Sequence, residues 1–297
     1  MATMFSFHEG PPLNLWEKCS LQSFADFGHE LTLFSYSQLD VPSGVRLAPA
    51  ADIIPEQKLF DFITLAPDQF SQFSDWFRYE LLYKHGNWWV DTDVVCSTPS
   101  LPDDDIVVGK AVRDWLNNGV IKFPARHPLL AEAVNYCNAH WREVGPSHRS
   151  LLGPILLTEL DDKYNIRAWA KELTHFSPLS GRRVWRFGDP VARDEVASAA
   201  AKCPVIHWWQ WRFRAAELPR DVLPPKGSFL ADLFLRHGGQ GHPHIDLETY
   251  CKIAASNRDK PQSMPTLANR RPKWLRTLAR LMRPLSAPKS VTPLLTC

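Results

Sequence analysis

FSDWFRYELLYKHGNWWVDTDVV, residues 73–95, carries a helix pattern, a stop and a strand pattern in that order. Phe70, Phe73, Phe77 and Leu81, extended by the stem of Lys84, share one stripe at three- and four-residue spacing, which predicts a helix over 68–85. Gly86 ends it. WWVDTDVV (88–95) is then a β-branched and aromatic run of strand length, with Asp91-Thr92-Asp93 toward its C-terminal end. Residues i and i+2 of a strand share a face, so the two carboxylates can converge. At the open end of an α/β sheet such a pair suits a hard divalent cation, which can neutralise a pyrophosphate leaving group. The competing reading is a chance D-x-D. On the preceding helix, Asp75 and Arg78 are i, i+3 neighbours beside Ser74; here the competing reading is an exposed ion pair of little energetic worth.

Outward from this block the pattern is α/β. TMFSF (3–7) reads as a buried strand, Leu15 to Phe27 as a helix stopped by Gly28, and ELTLFSY (30–36) as a second strand. Strand, helix, strand in 36 residues opens a βαβ unit and implies a parallel sheet. Residues 128–141 and 150–174 read as helices separated by a turn at Gly145-Pro146, and PVIHWWQW (204–211) as a further strand entering a loop. Past residue 215 prolines and glycines cluster, which places a boundary at about 220. Residues 1–220 form the expected catalytic domain and 221–297 a C-terminal helical extension.

Taken whole, the 73–95 block resembles the DxD-containing sugar-transferase family known as glycosyltransferase family 32. The shared pattern is S-D-x-x-R-x-x-x-L (Ser74 to Leu82), a glycine and aromatic residues, then D-x-D. The clostridial glucosylating toxins are similar, including the step from helix aspartate to first DxD aspartate, which here is 91 − 75 = 16 residues. Weaker likeness extends over roughly residues 3–213: the GHELTLFSY strand, Asp52, Asn118 nine residues before His127-Pro128, Gly153-Pro154, and His207 followed by Trp208, Trp209 and Trp211. Where the family often has Trp near the end of the first strand, this chain has His8-Glu9-Gly10.

The resemblance implies a GT-A fold, a mostly parallel Rossmann-like sheet flanked by helices, and transfer of a hexose with retention from a nucleotide-diphosphate sugar, UDP-sugar favoured. It implies Mn²⁺ or Mg²⁺ held by Asp93 directly and by Asp91 through water, Asp91 also reaching donor hydroxyls. Asp75 and Arg78 would hold the donor sugar, the guanidinium fork suiting hydroxyl and phosphate oxygens. His207 is the candidate third ligand, with a packed core histidine as the alternative. Asn118 and Trp208 are candidate donor contacts, Asn117 being an equal rival to Asn118. Gly153-Pro154 reads as a backbone feature at a helix start. No nucleophile stands near the motif, so front-face departure is expected over a covalent intermediate.

Twelve tryptophans fit a sugar-handling surface as well as a core. Six cysteines lie scattered without CxxC spacing, and no apolar run reaches about 18 residues. A reducing, cytoplasmic setting without signal or transmembrane span is therefore expected. From Lys260 onward there are eight Lys/Arg and no Asp/Glu, so the net +2 splits into +8 there and −6 before it. RRPKWLRTLARLMRPL (270–285) reads as a basic amphipathic helix able to lie on an anionic membrane surface. That would suit a glycan or lipid-linked saccharide acceptor, as in capsule or exopolysaccharide assembly. Nucleic-acid binding is not expected from an acidic body without a recognition motif. The alternatives are a toxin-like protein glycosyltransferase and a non-catalytic nucleotide-sugar-binding protein.

Overall fold

A computed structural model describes residues 1–66, 70–111, 115–144, 150–181 and 183–258. The basic segment 270–285 and the Gly145-Pro146 turn lie outside the described residues.

The opening pattern folds as read. Thr3–Phe7 (β1) and Glu30–Ser35 (β2) pair in parallel, Thr3 beside Glu30 and Phe7 beside Phe34, with Leu15–Asp26 (α1) as the crossover. Asn14 starts α1 with a capping box, accepting from the Trp16 and Glu17 N–H groups while Glu17 accepts from the Asn14 N–H. Gly28 follows the helix at φ +78°, a left-handed turn that few side chains tolerate.

The strands Arg46–Pro49 (β3), Asn87–Val90 (β4), Val107–Lys110 (β6), Leu116–Phe123 (β7) and Ala170–Lys171 (β8) join these two. Among the described residues they form a seven-stranded sheet ordered β3-β2-β1-β4-β7-β6-β8. Pairings from β3 to β4 are parallel, β7 runs antiparallel to both neighbours, and β8 is parallel to β6. The α/β expectation is thus met by a mixed, mostly parallel sheet. Strand order reverses between β1 and β4, the kind of point where α/β sheets open a ligand crevice.

Alternate residues feed opposite cores, as strand geometry requires. Phe5, Phe7 and Trp89 join Phe73, Trp76, Phe77 and Leu81 of Phe70–His85 (α3), with Glu56–Leu65 (α2), Pro128–His140 (α4) and Leu156–Tyr164 (α5). Met4, Trp88 and Val90 join Leu21 and Phe24 of α1. Each fully buried aromatic of this size stabilises by about 2–3 kcal/mol. A further core gathers Trp16 and Cys19 of α1 with Trp208, Phe213, Leu230, Phe234 and Tyr250. It is built on Arg193–Ala200 (α7), Gln210–Ala215 (α8), Phe229–Arg236 (α9) and Leu247–Arg258 (α10).

Two expectations are corrected. Residues 88–95 are two strands: β4 ends at Val90, and Val94–Cys96 (β5) pairs antiparallel with Val205–His207 (β9) in a separate ribbon. Residues 150–174 are several short elements, because Asn165 adopts a left-handed conformation that ends α5. A 3-10 turn (Ile166–Trp169), β8 and the short Leu173–Phe176 (α6) follow.

Candidate functional site

The break between β4 and β5 makes the site. Asp91 N–H still donates to Gly119 O of β7 at 2.9 Å, completing the last rung, and Val94 N–H donates back to Asp91 O at 3.1 Å, closing a turn. Asp91 and Asp93 therefore converge across a turn, where the sequence implied a continuous strand. The turn delivers the chain to β9, with Val94 beside His207 and Trp208 N–H donating to Asp93 O at 3.1 Å. Asp91, Asp93 and His207 each present a ligand atom within 4.8 Å of the others. His207 Nε2 lies 3.2 Å from Asp93 Oδ1. The Gln210 backbone N–H donates to Asp93 Oδ2 at 2.7 Å, fixing that carboxylate from the other side.

The flank of Asp91 is a buried polar network rooted on α3. Arg78, 3% exposed, donates to Asp91 Oδ1 at 2.9 Å and stands 3.2 Å from Asp75 Oδ1. It also donates to the Asn118 carbonyl, and its guanidinium lies 4.8 Å over the Trp89 ring. Trp89 Nε1 donates to Asp91 Oδ1 at 2.8 Å, and Asn118 Nδ2 to Asp75 Oδ1 at 2.7 Å. The Asp75–Arg78 pair is thus the hub of the site, where sequence alone left an exposed ion pair as the alternative. Asn117 takes a different part, its Oδ1 accepting from Gly119 N–H at 2.7 Å. The side chain of Asp91 is 29% exposed, against 12% and 6% for Asp93 and His207, so Asp91 is the member most open to solvent.

Burial governs the charges. It pushes the Asp75 carboxyl from 3.8 up to about 6 against the pull of Arg78, and raises Asp91 likewise. Burial would also raise Asp93, but His207 and the Gln210 N–H pull it below the ordinary carboxylate value. Burial lowers His207, but its attraction to Asp93 more than offsets this and leaves it raised.

The space between the ligand groups tests whether these residues suit a cation. At Gly119 an added Cβ would lie 2.8 Å from Asp91 Oδ2 and 3.1 Å from His207 Cε1, so the missing side chain leaves space between the ligand groups. Two carboxylate oxygens, an imidazole nitrogen and an uncrowded floor fit a divalent ion of the Mn²⁺ or Mg²⁺ kind.

Trp208, expected at the donor, is placed elsewhere. It is fully buried beside Trp16 and Phe213, its Nε1 donating to Ser20 Oγ at 2.9 Å, because residues of β9 and the position after it alternate sides and His207 takes the site face. Its neighbour Trp209 stacks on His207 instead. Gly153 is more than a helix-start feature: a Cβ there would lie 2.3 Å from Asp75 Oδ2, so the glycine lets the chain pass directly behind that carboxylate. Asp52 is exposed, and its carbonyl accepts from Lys84 Nζ. His127 caps α4 through the Leu129 N–H. Glu9 ties the ends of β1 and β2, accepting from Tyr36 N–H at 2.9 Å and from the Ser35 and Ser37 hydroxyls. Sequence reading missed Gly119, Trp89 and Gln210; the glycine following the two asparagines was the one available signal.

No protein-family model matches the chain. A human alpha-1,4-N-acetylglucosaminyltransferase is 30% identical over 110 residues, which is 37% of this chain and 29% of that relative, so the match spans under a third of the relative's length. Among solved structures, the PaToxG glycosyltransferase aligns over 80% of this chain and 85% of its own, with TM-score 0.46 and 12% identity. The glycosyltransferase GlyE of Streptococcus pneumoniae TIGR4 aligns over 89% of this chain and 66% of its own, with TM-score 0.39 and 8% identity. Among the described residues no helix is long and apolar enough to cross a membrane.

Proposed function

We propose that this chain is a metal-dependent glycosyltransferase of GT-A type, moving a hexose from a nucleotide-diphosphate sugar, UDP-sugar favoured, to a glycan or lipid-linked saccharide acceptor. The observation that carries the reading is the convergence of Asp91 and Asp93 from the β4–β5 turn with His207 from β9, distant in sequence, on one point beside the buried Asp75–Arg78–Asn118 network. The partial identity to a human N-acetylglucosaminyltransferase supports sugar transfer as the chemistry.

In this reading Asp93 and His207 hold a divalent ion, Mn²⁺ or Mg²⁺, with Asp91 beside them. When bound, the ion supplies charge neutralisation for a departing nucleoside diphosphate. Asp91, the most open member, meets the donor. Arg78 keeps the Asp91 and Asp75 carboxylates in place by charge-assisted hydrogen bonds. Asp75, held by Arg78 and Asn118 and with its carboxyl raised by burial, is placed on the donor-sugar side of this network. Retention by front-face departure, without a covalent intermediate, is the proposed course. The functional groups all precede residue 220. Residues 1–220 are therefore the proposed catalytic unit and 221–297 an extension whose α9 packs on α1 and whose α10 packs on residues 184–188; the basic segment 270–285 is proposed to meet an anionic membrane.

Calorimetric titration with UDP tests the reading. It predicts binding in Mn²⁺ that vanishes in EDTA and in Asp93→Ala; binding indifferent to metal would refute it.

A further inference from the structure

Trp209 occupies a conformation that a bulky residue seldom takes. Its φ and ψ are +62° and +60°, in the left-handed region, separated from the end of β9 by Trp208 alone and immediately before α8. Strain of this sort persists only where surrounding contacts enforce it, and it gathers at functional sites. Here it has two local consequences. The indole lies flat on the His207 ring, centroids 4.0 Å apart and planes 20° apart. The reversed backbone also aims the next N–H, that of Gln210, at Asp93 Oδ2 at 2.7 Å. A single residue thus bears on both an imidazole and a carboxylate of the cluster.

The stack stands where another contact would be expected. A metal-bound imidazole is ordinarily oriented by an acceptor on its second nitrogen. His207 Nδ1 has no such partner among the described residues. The indole is itself anchored: Nε1 donates to Ser177 Oγ at 3.0 Å, and the same hydroxyl lies 2.9 Å from the His207 carbonyl. Ser177 and Trp209 therefore grip His207 by backbone and by ring face together.

We propose that Trp209 is a positioning residue for the cation site: its stacked ring holds the plane of His207, and its left-handed backbone sets the Asp93 carboxylate through Gln210. The inference rests on the metal-centre reading above. The test is direct Mn²⁺ binding without donor, by EPR of free Mn²⁺, in Trp209→Ala, Trp209→Gly and Trp209→Phe. Loss of an orienting partner weakens metal sites by about 10- to 100-fold, so Ala is expected to fall in that range. Gly, which relaxes the backbone but lacks the ring, should weaken binding too. Phe, which restores a flat ring, should recover most of the affinity, with metal-free melting close to the native protein's.

Native affinity in Trp209→Ala, or Phe as weak as Ala, would overturn the proposal. If the native protein binds no Mn²⁺, the metal reading fails separately. The clamp is then decided by NMR of the metal-free protein, with His207→Gln identifying the His207 Cε1–H resonance. Under the indole this resonance should lie upfield, moving downfield in Ala and staying in place in Phe. An unmoved resonance in Ala would refute the clamp itself.

Discussion

Removing the Arg78 side chain should destabilise the fold in a way that depends on pH. The guanidinium sits between two carboxylates, 2.9 Å from Asp91 and 3.2 Å from Asp75, and is itself 3% exposed. Arg78→Ala leaves both acids buried without their cation, a change that costs about 3–5 kcal/mol. The sign follows from Asp75. Its folded pKa of about 6 exceeds the model-peptide value of 3.8, so the folded state binds the proton more tightly. Stability from this group is full below about pH 4 and falls as pH rises through 6, by about 2–3 kcal/mol. Without Arg78 the folded pKa climbs further, so the penalty relative to native protein should be largest at pH 8 and shrink toward pH 5. Urea unfolding of both proteins in EDTA at pH 5, 6.5 and 8 measures this. A loss under about 1 kcal/mol at pH 8, or an equal loss at pH 5 and 8, would refute the buried-hub account.

Other substitutions separate site from scaffold. Gly119→Ala places a methyl 2.8 Å from Asp91 Oδ2, and calorimetry should show Mn²⁺-dependent UDP binding lost while the melting temperature holds near native. Trp208→Phe should cost stability, since it trims a fully buried ring and leaves the Ser20 hydroxyl without its indole donor, yet keep the native UDP affinity; a large affinity loss would return Trp208 to the donor site. Gly188→Ala drives a Cβ to 2.4 Å from the Tyr250 ring, and thermal unfolding should register about 1–3 kcal/mol of overpacking with UDP binding unchanged.

The sequence exposed the scaffold where periodicity was clean and local. β1, α1 and β2 follow from a capped amphipathic helix between two apolar runs, and α3 from its aromatic stripe ending at Gly86. The candidate site was named from the residue types of Asp75, Arg78, Asp91, Asp93, Asn118 and His207, and the fold brings these side chains together. Their geometry was not legible. Residues 88–95 are β-branched or aromatic on both sides of Asp91-Thr92-Asp93, which reads as one strand, and only pairing of Val94 with His207, over a hundred residues away, splits them into two strands with a turn at the aspartates. Trp208 reads as a donor contact in sequence, but alternation past β9 buries it, and Trp209 meets His207 through a left-handed backbone that no local pattern announces. α9, with Phe229, Leu230 and Phe234 buried, went unread because a short helix between proline- and glycine-rich stretches gives too few turns to show a period.

Donor turnover by the full chain is the most direct test. UDP- and GDP-sugars would be screened for hydrolysis and transfer with Mn²⁺ or EDTA, beside Asp93→Ala. The account predicts turnover of one nucleotide sugar that EDTA and the substitution both abolish. Turnover that persists in Asp93→Ala or in EDTA, or failure of every donor to bind or turn over with Mn²⁺, would contradict it.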